Sequence, residues 1–161
     1  MGWTLLAVLL GAALALPAAA PAGKGADGTL SVQRGRGKIT LNFRGTTVGR
    51  LANGKVRIRD QNLFDAQAAQ FRHCKTLRTL NPHTMVCTGK KLTFRALDGR
   101  YTVFVQGSGI FMSAVGRGTL MVDGTGENGL PDGTMSLDNA PYVPLPDVPT
   151  VFQLGTTKTK R

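Results

Sequence analysis

The sequence predicts an all-β protein, an antiparallel sandwich or barrel-like fold. Three observations lead there: apolar residues recur with period two, glycine-bearing turn signals separate the repeats, and the composition is rich in Gly, Thr and Val. Ile39, Leu41 and Phe43 alternate with polar neighbours, as do Val56 and Ile58, Leu92 and Phe94, and Tyr101, Val103 and Val105. Leu120 and Val122 follow, then Met135 and Leu137. Each set reads as a short strand with one buried face. Turns are expected at Gly45, Asn53-Gly54, Asp98-Gly99, Gly107 to Gly109, Gly116 to Gly118 and Asp132-Gly133. Asn-Gly and Asp-Gly pairs suit hairpins because both positions tolerate positive φ.

Residues 62–88 break the alternation. Phe64, Ala68 and Phe71 lie at helical spacing, so a short amphipathic helix is expected there, followed by a loop through Asn81-Pro82. This insertion separates two β-rich halves with similar order. Val32-Gln33, Gly35, Gly37 and Val48-Gly49-Arg50 in one half match Val105-Gln106, Gly107, Gly109 and Val115-Gly116-Arg117 in the other. An imperfect duplication giving a two-unit pseudo-repeat fits this pattern. So does coincidence in a chain rich in Gly and Val.

The amino terminus carries a different signal. Trp3 to Ala20 has no charged residue and is dominated by Leu, Ala and Val, and Ala20-Pro21-Ala22 places small residues where a signal peptidase reads. Residues 1–22 are expected to be a signal peptide cut after Ala22, or a retained N-terminal anchor, since no Lys or Arg precedes the apolar run. Residues 23–155 then form one β-rich domain, and 156–161 a basic tail. Both alternatives put the domain outside the cytoplasm, secreted or in the cell envelope.

Several of these motifs carry a resemblance. Gly107-Ser108-Gly109-Ile110, the run from Ser113 to Thr119, Asp123-Gly124, Tyr142 to Pro146 and Phe152-Gln153-Leu154-Gly155 resemble a group of small exported β-rich proteins from high-GC Gram-positive bacteria. The resemblance covers roughly residues 30–60 and 90–155. It implies export, but transfers no catalytic or binding residue, and the cysteines lie outside its pattern.

Catalytic chemistry is sparse in this chain, which has two His, two Cys and nine acidic residues. His73, Cys74, His83 and Cys87 are zinc-type donors, but their spacing matches no established zinc pattern. In an oxidising compartment a Cys74–Cys87 disulfide is the expected outcome. The acidic loop from Asp123 to Asp132 has calcium-type oxygens, yet Asn128 stands where the EF-hand pattern needs glycine, so a solvated hairpin loop is expected. Gly107-Ser108-Gly109 lacks the flanks of a nucleophile elbow. No catalytic residue, metal or cofactor is assigned.

Charge is the most informative feature that remains. Residues 30–100 hold fifteen basic and three acidic residues, whereas residues 101–155 hold one basic and five acidic. Arg34, Arg36, Lys38 and Arg44 share one parity of an extended segment, opposite Ile39, Leu41 and Phe43. Lys55, Arg57 and Arg59 lie opposite Val56 and Ile58. If the two segments pair, their cations form one outward face. That face is either a surface that keeps the domain soluble or a polyanion site. The sequence therefore favours an exported, non-catalytic module that binds an anionic cell-wall polymer, lipid headgroups or a protein partner. An extracellular hydrolase, with a site assembled by the fold, is the alternative. Nucleic acid is not expected as a partner because export removes it, and membrane contact is expected only if the N-terminal segment is retained.

Overall fold

The computed structural model describes residues 26–64, 67–126 and 132–156, so the expected signal or anchor segment 1–22 and all of the basic tail after Thr156 lie outside the described residues. The chain is all-β, and its strands pair antiparallel in one seven-stranded sheet that does not close into a barrel. Its strands are β1 (Gly28–Asp60), β2 (Gln67–Arg72), β3 (Thr76–Asn81), β4 (Thr84–Gly124), β5 (Thr134–Leu137), β6 (Val143–Pro144) and β7 (Thr150–Leu154). Two of them dominate: β1 runs for 33 residues and β4 for 41.

These long strands are wound around one another. Most of β1 has β4 on both sides, as where Ile39 faces Val105 on one edge and Val122 on the other. The two β4 partners of Ile39 lie 17 residues apart and those of Val56, Cys87 and Val105, lie 18 apart, and the two β1 partners of Gly107, Gly37 and Gly54, are likewise 17 apart. The winding sorts the chain into two layers. In the first, the order is β7, 118–124, 37–44, 100–107, 53–60, 84–90 and β3. In the second it is β2, 92–97, 46–51, 111–116, 28–33, β5 and β6.

Glycine rows mark where the strands pass between layers. Gly124, Gly37, Gly107, Gly54 and Gly89 are register neighbours across adjacent strands, and so are Gly28, Gly116, Gly45 and Gly99. Glycine inside a strand permits a sharp bend and a close backbone approach. Gly45 at φ 154° and Gly107 at φ 156° sit where side chains are disfavoured, and a Cβ would strike the Val115 carbonyl oxygen in one case and that of Asn53 in the other. The glycines at 45, 54, 107, 116 and 118, expected as turns, are therefore bends within continuous strands. Asp98 and Gly99 likewise stay within β4. Asp98 takes φ 47° and its N–H donates to the Thr46 hydroxyl at 3.0 Å, so the pair makes a bulge.

Inward residues of both layers meet in one core. The first layer contributes Ile39, Leu41, Phe43, Val56, Ile58, Tyr101, Val103, Val105, Leu120 and Val122; the second contributes Leu30, Val32, Leu51, Leu92, Phe94, Met112 and Met135. Burying each large aliphatic side chain contributes about 1.5–3 kcal/mol, which fixes the alternation and hence the register. The Tyr101 hydroxyl is buried, and donates to the Leu97 carbonyl at 2.9 Å.

Among the described residues of 62–88 there is no helix, contrary to the expectation. Phe64 is 99% exposed and β2 is an edge strand paired to 92–97. Period two prevails there because Ala69 and Phe71, two residues apart, both pack against the core, which a helix started at Phe64 could not achieve. The rest of the segment is a hairpin, β3 against the start of β4.

Candidate functional site

The first layer turns a basic face outward. Lys55, Arg57 and Arg59 alternate along 53–60 with the buried Val56 and Ile58, and all three are exposed. Neighbouring strands set what surrounds them. Lys55 lies opposite Gln106, which faces Lys38 on its other side; Arg57 lies opposite Phe104, and Arg59 opposite Thr102. Phe104 points outward because Val103 and Val105 point in. Its ring centroid lies 5.3 Å from the Arg57 guanidinium and 5.7 Å from the Lys55 ammonium. The face therefore carries an aromatic platform bracketed by two cations.

Not every basic residue expected on this face reaches it. Lys38 does, and it pairs with Asp123 at 3.3 Å, an exposed contact of small energy. Arg44 stands in register between Arg100 and Arg117, and Arg117 pairs with Asp27 at 2.8 Å. Arg44 and Arg100, directly opposite with like charge, oppose folding slightly. Arg34 departs from the expected parity because the ladder is irregular between Val32 and Gly35, with Arg34 at φ 54°, whereas Arg36 keeps the exposed parity of Lys38. Arg36 then reaches the rim, sharing a depression of about 490 Å³ with Lys55 and Gln106. Arg34 turns to the other side and lines a depression with Arg50 and Phe111.

The cysteines are joined. Cys74 and Cys87 form a disulfide with Cα atoms 5.5 Å apart, the pairing expected from the sequence. Both sulfurs are thereby removed from the zinc-type donor set. The His83 ring nitrogen Nδ1 instead makes a hydrogen bond with the Asp60 carbonyl at 3.2 Å.

Among the acidic residues, Asp132 serves the structure and Asp123 and Asp147 come together at the surface. Asp132 is buried and accepts hydrogen bonds from the Thr125 hydroxyl and the Gly126 N–H, both at 2.7 Å. Burial alone would raise its carboxyl. The bonds from Thr125 and Gly126, with the Arg36 charge, outweigh that and hold it below its ordinary value. Asp123 and Asp147 line one depression of about 490 Å³ with Lys38 and Gln106. The rest of the expected calcium-type loop, 127–131, lies outside the described residues.

Sequence reasoning missed a second basic cluster, on the outer face of the second layer. Arg50, Arg72 and Arg95 line a trough of about 840 Å³ whose walls include Val48, Phe94 and Phe111. The only advance signal was the outward parity of Arg50 and Arg95 beside buried Leu51 and Phe94. Arg72 belongs to the segment read as helical. No family model matches the chain, and no significant match is found among curated proteins or solved structures.

Proposed function

We propose that the protein is an exported, non-catalytic module that binds an anionic polymer of the cell envelope through the outward face of its first layer. The observation that carries this reading is the row Lys55, Arg57 and Arg59 around Phe104. All three cations are exposed, and none forms an ion pair among the described residues. Their charge is left for a partner, and a polymer with regularly spaced anions is the ligand that meets a strand's two-residue repeat. Two features support export: the uncharged leading segment, and the disulfide, which is consistent with an extracytoplasmic location. Likeness of the Gly-rich motifs to exported Gram-positive proteins supports the same compartment.

Co-sedimentation with purified cell walls and with anionic vesicles, at low and moderate salt, tests the reading. Wild type is expected to sediment with walls at low salt and to be released as salt rises, because exposed charges are screened beyond about 8 Å at physiological ionic strength. The variant Arg57→Glu/Arg59→Glu should stay in solution. Retention on vesicles alone would point to lipid headgroups instead of wall polymer, and equal behaviour of both proteins would remove the face as a binding site.

One observation favours a second reading, an extracellular hydrolase. Asp123 and Asp147 share a depression, and paired carboxylates are the usual means of glycoside hydrolysis. Release of sugar from wall polysaccharide by the wild type, lost in Asp147→Asn, would replace the binding reading with this one.

A further inference from the structure

We propose that the trough on the second layer is a separate binding site for a small organic anion with an apolar body, such as an alkyl or aryl phosphate or carboxylate. Its volume of about 840 Å³ lies within the range of about 300–1,000 Å³ that small-molecule sites occupy. Three guanidiniums reach it from three strands: Arg50 from β1, Arg72 from β2 and Arg95 from β4. Thr93 lies in register between Arg50 and Arg72, so these two cations stand two strands apart, and Arg95 projects from the same side of β4 two residues beyond Thr93. Among the described residues, no carboxylate lines the trough. Like charges collected in one concavity repel, and an anionic group between them converts that repulsion into charge-assisted hydrogen bonds, for which guanidinium geometry is well suited.

Two of the arginines are already oriented. Arg95 donates its Nε–H to the Gln70 side-chain oxygen at 2.8 Å, and the Arg50 guanidinium lies 4.5 Å from the Phe111 ring centroid. Both contacts lower the entropy lost when an anion binds. The walls argue for more than an inorganic ion. Val48 is 44% exposed at the middle of the trough, between Arg95 and Ser113 in register, and Phe111 continues the apolar surface. Water would wet these side chains in the empty trough, and an alkyl or aryl body lying on them removes that exposure. The first-layer face shares the positive charge. In the trough, an open concavity with an apolar wall suits a compact amphiphile, whose body can lie on Val48 and Phe111.

Isothermal titration calorimetry of the full chain with octyl phosphate, octyl glucoside and inorganic phosphate tests this site. Octyl phosphate is expected to bind one per chain, with octyl glucoside and inorganic phosphate each weaker by about tenfold or more. Arg50→Gln/Arg95→Gln should weaken octyl phosphate by about tenfold or more, Arg95→Lys by less, and Arg57→Glu/Arg59→Glu by less than about twofold. Phe111→Ala should weaken octyl phosphate while leaving inorganic phosphate unchanged. Circular dichroism identifies any variant that fails to fold, and the edge-strand change Arg72→Gln then takes its place. The proposal is overturned if octyl glucoside binds as tightly as octyl phosphate. It is equally overturned if folded Arg50→Gln/Arg95→Gln or Arg72→Gln binds like wild type, or if the Arg57→Glu/Arg59→Glu change abolishes binding. Because wall binding depends on Arg57 and Arg59, failure here leaves the polymer reading standing, and the reverse also holds.

Discussion

The two outward faces of this wound sheet are both basic, but they acquire their charge differently. On the first layer, Lys55, Arg57 and Arg59 come from one stretch of β1, and simple alternation with Val56 and Ile58 turns them out together. On the second, Arg50, Arg72 and Arg95 come from three strands and meet only because β4 is pulled between β1 and β2. One face is a local property of a strand; the other is a property of the fold. The surface built locally has an aromatic platform and a cation at every second residue. The surface built by winding has a concavity as well.

The largest expected effect comes from the glycine rows on which both faces depend. Gly45→Val puts a β-branched side chain at φ 154° and against the Val115 carbonyl oxygen, so a cost of several kcal/mol is expected from strain and displaced backbone together. Denaturant unfolding should show the loss, and both faces should lose binding at once. Wild-type stability in this variant would mean that the corner is not set by glycine.

Next comes the disulfide, which clamps the β3 hairpin beside the first-layer face and leaves the trough alone. Replacing both cysteines, Cys74→Ser/Cys87→Ser, removes a crosslink spanning 13 residues and should cost about 3 kcal/mol in the chain-entropy model. Thermal unfolding measures it, and the trough's affinity in the folded double variant should be unchanged.

Asp132 sharpens the comparison through pH. Its folded carboxyl is held below the ordinary value of 3.8, so the stability it contributes is present above that value and is lost as pH falls through the lower folded one. Asp132→Asn should cost about 1–3 kcal/mol at neutral pH, because the Thr125 and Gly126 donors lose a charged acceptor, and it should flatten the acid limb of the stability curve below pH 4. An acid limb identical to wild type would show that another group governs it.

The strands were legible in the sequence wherever one face is buried and the other is wet, because Ile39-Leu41-Phe43 and Tyr101-Val103-Val105 can satisfy that condition only as strands. The disulfide was legible because only two cysteines exist to pair. The bends were misread because a glycine at positive φ looks the same in a turn as in a strand that folds over a corner; what separates them is the strand pairing, which links Gly37 to Gly107 and Gly124. The helix was misread because Phe64, Ala68 and Phe71 mimic its spacing, while Phe64 contributes nothing to the core. Of the basic face, the Lys55-Arg57-Arg59 row was legible. The displacement of Arg34 was not, since one irregularity after Val32 breaks the parity on which its placement relied. Arg72 and Arg95 were out of reach because the strand order that unites them with Arg50 is set by long-range winding.

The smallest effect on stability belongs to the change that bears most on function. Arg57→Glu/Arg59→Glu alters exposed positions and should shift unfolding by less than about 0.5 kcal/mol per site, whereas Val56→Asp, between them, points a charge into the core and should damage folding. The most direct measurement is the salt dependence of polyphosphate binding by wild type and by the double Glu variant, with both proteins checked for identical unfolding curves. Steep weakening of wild-type binding with salt, and a weak, nearly flat response in the variant, are the predicted results. Equal salt slopes and equal affinities in the two proteins would contradict the assignment of the first-layer face as the polyanion site.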